Sequence, residues 1–257
     1  MTDASPRPFA GRTVLVTGSG QNIGRATALA FARGGANVVI NGHRNQAAIE
    51  SVAEEARAAG ARALAVLADV GDPAAVQAMV DRALEKFGGV DIAVSNVSTR
   101  LHTPFLDISI EEWQRIINSN LSASFYLARA VLPGMKQRGW GRVIHISGTD
   151  GFAVIPNRAH NVSCKAAVFA LSKAIAVEFG PFGITANTVA PGVIETTRDL
   201  TQYPHFRDGY GERVKTIPVR RVGHIDEIAA ACTYLASEAA GFVTGQVLHV
   251  NGGAGLF

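Results

Sequence analysis

The sequence predicts an α/β protein, a doubly wound parallel sheet flanked by helices, in a single domain spanning 1–257. Three observations predict it. Short runs rich in β-branched residues are almost continuously apolar, as strands covered on both faces must be. They alternate with longer Ala-rich helical stretches, the repeated β-α-β pattern of a parallel sheet. A glycine-rich turn, "TGSGQNIGRA" at 17–26, stands between the first strand run and the first helix. No Pro/Gly/Ser-rich linker or composition break divides the 257 residues, enough for one large core.

In order, "RTVLVTG" (12–18) reads as a strand and 23–33 as a helix that stops at Gly34-Gly35. "ANVVIN" (36–41) precedes a helix over 45–59 that stops at Gly60, and "RALAVLA" (62–68) one over 73–87 that stops at Gly88-Gly89. Glycine suits these stops because a left-handed cap costs it little. "VDIAVSN" (90–96) leads to a long helix over 109–138, which Pro133 should kink or end. Then come strand "GRVIHIS" (141–147), helix 159–179, strand "GITANTVA" (183–190), helix 225–237 and strand "GQVLHVNGG" (245–253). Residues 1–10 are expected as a flexible N-terminus. The segment 196–218, "TTRDLTQYPHFRDGYGERVKTIP", is polar, dotted with aromatics and closed by a proline. It is either a surface loop or a substrate lid, since long loops inside compact domains are often functional.

The 24 basic and 21 acidic residues give a net charge of +3, too slight and scattered for a nucleic-acid partner. No apolar run reaches bilayer length, and the start "MTDASPRPFAG" lacks the regions of a signal peptide. Cys164 and Cys232 lie in helix-like runs and read as buried free thiols, consistent with a reducing compartment. A cytoplasmic protein acting on a small molecule is expected, with no membrane, nucleic-acid or metal partner.

A glycine-rich turn opening a helix lets backbone approach a pyrophosphate, which the free N–H groups and dipole of the helix N-terminus then hold. Alone the pattern is weak. Here it is followed in order by "ADV" (68–70), Asn96 after the fourth strand, "PGVIET" (191–196) and "FVTGQVLHVNGG" (242–253). From about Arg12 to Gly253 the chain thereby resembles the short-chain dehydrogenase/reductase family, oxidoreductases on a Rossmann-type sheet. The resemblance implies that Gly18, Ser19, Ile23 and Gly24 hold the pyrophosphate and adjacent ribose. Asn22 replaces the family's middle glycine; asparagine tolerates a left-handed backbone best after glycine. Asp69 would bind the adenine amino group, or else cap the helix opened by Pro73, and Val70 would back the ring. Asn96 would line the crevice, and Ile194 and Thr196 would meet the nicotinamide carboxamide. The second strand ends in Asn41, Gly42, His43 and Arg44 with no acid to grip a ribose 2′-OH. A guanidinium suits a 2′-phosphate, so NADP is favoured over NAD, with Arg44 and Asn41 as contacts. The alternative for Arg44 is a solvated helix-start residue.

The family's carbonyl chemistry uses an asparagine, a serine, a tyrosine and a lysine, the last two at i and i+4 on one helix face. The lysine binds the nicotinamide ribose and lowers the tyrosine pKa so that the phenol serves as acid or base. Carried over residue by residue, Asn120 and Lys165 are present. Gly148 falls on the serine position and Asn161 on the tyrosine position. Ser147 is one residue off, where strand alternation turns it away; His160 is rotated about 100° from Asn161. None of the tyrosines (126, 203, 210, 234) lies near Lys165 in sequence. A carboxamide donates a hydrogen bond to an oxyanion but has no proton to release, and losing a general acid forfeits about 10²–10⁴ in rate.

Replacement candidates are Asp150, alternatively a turn residue in "GTDG", and His102, alternatively a solvated side chain, with Arg100 on the same loop. Three functions compete. The first is an NADP-dependent oxidoreductase with a proton route rebuilt through Lys165 and water, Asp150 or His102, suited to activated alkenes or iminium ions. The second is a non-redox lyase or isomerase, and the third a catalytically silent cofactor-binding protein. The resemblance also implies a homotetramer (or dimer) built on helices 109–138 and 159–179.

Overall fold

Seven parallel strands form one sheet in the order β3-β2-β1-β4-β5-β6-β7 in this computed structural model, which describes residues 7–197 and 210–256. The strands are β1 (Thr13–Val16), β2 (Asn37–Gly42), β3 (Ala63–Leu67), β4 (Ile92–Ser95), β5 (Gly141–Ile146), β6 (Ile184–Pro191) and β7 (Val247–Val250). Strand order reverses between β1 and β4, which pair in register Val14↔Ile92 through Val16↔Val94. The chain winds outward in both directions from that point, so connections diverge there and leave a crevice at the carboxyl ends of the strands. All seven predicted strands are present.

Side-chain alternation sends Val14 and Val16 to one face and Leu15 to the other, and each face has its own core. On the first lie α1 (Asn22–Arg33), α2 (Gln46–Ala58) and α8 (Ile225–Ala236). On the second lie α3 (Pro73–Phe87), α5 (Ala123–Arg138) and part of α6 (Ala159–Phe179). The boundaries of α3 match the sequence reading because Asp72 caps it, Pro73 opens it and Gly88 closes it at φ +85°. Asp72, not Asp69, is that cap: its Oδ1 accepts from the Ala74 N–H at 2.9 Å, while Asp69 Oδ1 accepts from the Gly71 N–H.

One expectation is corrected, and two others concern segments that are only partly described. The helix expected over 109–138 is not ended by Pro133. It is broken earlier by a π-helical turn at Asn118–Ser122 between α4 (Ile110–Ile117) and α5, which runs past Pro133 to Arg138. Leu132 and Met135, both buried, hold that last turn against the core. The N-terminal segment 1–10 is packed where it is described: Phe9 is buried edge-on against Phe31 at 4.9 Å, and its N–H donates to the Gly34 carbonyl. Within 196–218, residues 198–209 lie outside the described residues, and Tyr210–Thr216 forms a helix, α7, followed by the buried Ile217.

Cys164 and Cys232 are buried free thiols, and burial pushes them up to about 11 and about 12. Among the described residues no helix is long and apolar enough to cross a membrane, and no group of His, Cys, Asp and Glu is arranged to hold a metal ion.

Candidate active site

The glycine-rich turn follows β1 at the reversal point. Gly18 takes φ +61° and Asn22 φ +50°, so the asparagine adopts the left-handed backbone expected of it. Gly24 packs α1 onto the turn, since a Cβ there would lie 2.3 Å from the Gly18 carbonyl oxygen and 2.7 Å from Asn96 Nδ2. Asn96 anchors the turn: its N–H donates to Thr17 Oγ1 at 2.9 Å and its Nδ2 to the Thr17 and Gly18 carbonyls. Helices α2, α3, α4 and α8 each carry a side-chain cap, from Asn45, Asp72, Ser109 and His224. Helix α1 has none and no acid in its first turn. Its leading N–H groups are open to an anion, which fits a pyrophosphate.

Two residues of the expected contact set are already hydrogen-bonded within the frame. Ser19 is fully buried; its hydroxyl donates to the Val16 carbonyl at 2.7 Å and accepts from the Asn41 N–H, and its own N–H donates to the Asn41 carbonyl. Asn41, 1% exposed, accepts from the Gly18 N–H through Oδ1 and donates through Nδ2 to the Gly42, Val66 and Ala68 carbonyls. Its amide knits the ends of β2 and β3 to the turn and has no capacity left for a phosphate. Arg44 is exposed just beyond β2. Asp69 is also exposed and faces His43, with Nε2 and Oδ2 3.6 Å apart; Val70 is buried beside it. Ile194 is buried against Gly223, and Thr196 is half-buried beyond it.

Lys165 and Asn161 lie on the same face of α6, both buried, and Asn120 faces them from the π turn. The backbone of Thr99 joins the three elements. Its N–H donates to Asn120 Oδ1 at 2.8 Å, and its carbonyl accepts from Asn120 Nδ2 and Asn161 Nδ2 at 2.8 and 3.0 Å. Asn161 Oδ1 is buried with no partner. The Lys165 ammonium donates to the Ser147 carbonyl at 2.5 Å. Gly148 leaves it the room, because a Cβ at that position would lie 2.6 Å from Lys165 Nζ. The backbone at Gly148, φ 165° and ψ 163°, is extended and open to any residue, so a Cβ there would crowd only the movable end of the Lys165 side chain and not the main chain. Ser147 turns away as alternation dictates, its hydroxyl donating to the Lys165 carbonyl.

Asp150 and His102 are brought together by a residue that sequence reasoning missed. Arg158 donates from Nη1 to Asp150 Oδ2 at 2.8 Å, and from Nε at 2.9 Å and Nη2 to His102 Nε2. Its signal was its place, immediately before α6 and eight residues beyond Asp150. His160 points away from the cleft, as its rotation predicted. It is fully buried with Nε2 3.1 Å from Glu112 Oε1, and Glu112 is held below the usual carboxylate range by a Thr103 hydrogen bond and by His160. Of the tyrosines, Tyr126 donates to Asn118 Oδ1, Tyr234 is exposed on α8, and Tyr203 and the Tyr210 side chain lie outside the described residues.

A doubly wound parallel sheet with an uncapped helix at its reversal point defines a dinucleotide-binding α/β frame. The family model described as enoyl-(acyl carrier protein) reductase matches residues 18–255. A 3-oxoacyl-[acyl-carrier-protein] reductase from Synechocystis is 35% identical over 249 residues, 96% of this chain and 98% of the relative. A D-beta-hydroxybutyrate dehydrogenase from Rhizobium meliloti is 33% identical over 254 residues, 94% and 98% of the two chains. The crystal structure of a protein from Sinorhizobium meliloti 1021, described as a short-chain alcohol dehydrogenase, superposes with TM-score 0.91 at 28% identity, covering 96% and 98%. The chain belongs to the short-chain dehydrogenase/reductase family of nicotinamide-dependent oxidoreductases.

Proposed function

We propose that the protein is an NADP(H)-dependent oxidoreductase of a small organic substrate whose proton is handled through Lys165 rather than a tyrosine. The observation that carries the reading is the Lys165 ammonium lodged in the space left by Gly148, donating to the Ser147 carbonyl. In this reading Gly148 and Asn161 stand where the family has its serine and tyrosine, and the lysine reaches into the serine's volume.

The nicotinamide supplies or accepts hydride when bound; the chain supplies the rest. The first turn of α1 takes the pyrophosphate, with Gly24 and Asn96 keeping the turn in place. Ile194 and Thr196 border the nicotinamide end. Arg44 takes a 2′-phosphate, since no acid stands between Asn41 and Arg44 to prefer a free hydroxyl. Asn161 Oδ1, an acceptor without a donor, holds a water or a substrate N–H or O–H. Lys165 Nζ is the nearby group with a proton to give, and Asp150 and His102, bridged by Arg158, form a second titratable pair on the adjoining loops. The relatives' names make 3-oxoacyl and 3-hydroxyacyl compounds the first substrates to try. Activated alkenes and iminium ions, which need less acid catalysis, come next.

NADPH deuterated at either C4 position separates the readings. Label in the product supports the oxidoreductase; turnover without label supports a lyase or isomerase; binding without turnover across the panel supports a silent protein. The homotetramer (or dimer) is supported by apolar side chains exposed on and before α4 and on α5 and α6, among them Leu106, Ile110, Phe125 and Val177. Light scattering that reports a monomer refutes it. A cytoplasmic location is supported by the two free thiols.

A further inference from the structure

Asn22 is bonded to a residue 175 positions away. Its Nδ2 donates to the Thr197 carbonyl at 2.8 Å, while its Oδ1 accepts from the Thr197 N–H at 2.8 Å and the Thr197 hydroxyl at 3.0 Å. The carboxamide thus pairs with a whole peptide group, using both of its polar atoms. Asn22 opens α1 at the end of the turn after β1, whereas Thr197 follows β6. Strands β4 and β5 lie between β1 and β6, so three strand spacings, about 14 Å, separate the two roots. The six residues Gly192–Thr197 reach about 20 Å when extended, enough for the crossing. Their course is fixed at its base: the Gly223 N–H donates to the Val193 carbonyl, the Glu195 N–H donates to the Gly223 carbonyl, and Ile194 is buried against Gly223.

We infer that Gly192–Thr197 is a strap across the carboxyl edge of β4 and β5, and that the Asn22–Thr197 pairing is the clasp that retains the dinucleotide. The inference rests on the dinucleotide reading, because the crevice at the reversal of strand order is where the nucleotide lies. A ring runs from β1 through the turn, across the clasp, along the strap to β6 and back through β5 and β4. A dinucleotide threaded through that ring leaves when the clasp opens. The clasp bonds are exposed, so they yield on the timescale of binding rather than of unfolding. Glycine at 22 keeps the φ +50° backbone and removes only the clasp.

Stopped-flow displacement of NADPH, followed by its fluorescence, tests this in the full chain. Asn22→Gly is expected to raise the dissociation rate about 10-fold and to raise the association rate as well, so that Kd shifts less than either. Thr197→Val, which removes the hydroxyl donor to Asn22 Oδ1 and puts no charge at the α1 N-terminus, is expected to release NADPH faster by a smaller factor. The ligand-free melting temperature of Asn22→Gly should stay within about 2 °C of the parent. Unchanged NADPH rates in both variants overturn the clasp, as does a faster dissociation matched by an equal fall in ligand-free stability. Failure of the parent to bind NADPH or NADH overturns the dinucleotide reading itself, a different outcome from binding with unaltered rates.

Discussion

Gly148→Ala is a small change for which two arguments predict opposite signs. At φ 165° and ψ 163° the backbone accepts alanine without strain. On conformational entropy alone, such a substitution stabilises by about 0.4–1 kcal/mol. The structure predicts the reverse. The new Cβ would lie 2.6 Å from Lys165 Nζ and 3.5 Å from its Cε, so the ammonium must retreat by about 0.8 Å to reach an ordinary contact. That stretches the 2.5 Å bond to the Ser147 carbonyl to as much as about 3.3 Å, longer than a charged donor prefers. A hydrogen bond to a charged group contributes about 1.5–3 kcal/mol. Losing most of that, offset by the entropy gain, leaves a net loss of about 1 kcal/mol. In a chain of this size that lowers the melting temperature by about 2–4 °C. Thermal unfolding by circular dichroism reads it directly, with NADPH affinity measured alongside to confirm an intact cradle. A Gly148→Ala protein that melts at or above the parent refutes the placement of the Lys165 ammonium in that space, and with it the proposed proton route.

Two further outcomes are expected. His145, fully buried on β5 with Nδ1 2.7 Å from Ser172 Oγ, is depressed by burial to about 4. The fold therefore holds it neutral while the unfolded chain protonates it near 6.5. That contribution is complete above about pH 6.5 and lost as pH falls to about 4, a drop of about 3 kcal/mol that denaturant titrations at stepped pH should show and His145→Gln should flatten. Arg44→Ala should weaken NADPH about 10-fold and leave NADH unchanged in equilibrium titrations; equal effects on both would return Arg44 to the role of a solvated helix-start residue.

The sheet was legible because each strand is buried on both faces and each connecting helix announces its ends locally, as Asp72, Pro73 and Gly88 do for α3. The π turn was not, because its visible anchors are tertiary: Asn118 Nδ2 donates to the Gly71 carbonyl and Asn120 pairs with Thr99, partners far away in sequence. The same reason hid Asn41 and Ser19. A polar residue at a strand end or in a glycine-rich turn reads as a ligand contact, and only the fold shows that Val66, Ala68, Val16 and Gly18 have already taken up its hydrogen bonds. Arg158 escaped because nothing in its own neighbourhood says that Asp150 and His102 converge on it. Positions governed by local chemistry fared better: Asn22 took its left-handed backbone, Ser147 and His160 turned away, and Lys165 and Asn161 share one face of α6.

In the proposed function a whole dinucleotide cradle faces a site whose usual oxygen-side donors are replaced. Restoring them in the double variant Gly148→Ser with Asn161→Tyr, and measuring NADPH-dependent reduction of 3-oxoacyl thioesters, tests it most directly. A gain of about 10²-fold or more over the parent is expected, the scale of a recovered general acid. A folded, NADPH-binding double variant with no gain, or a parent that already reduces these ketones as fast, would contradict it.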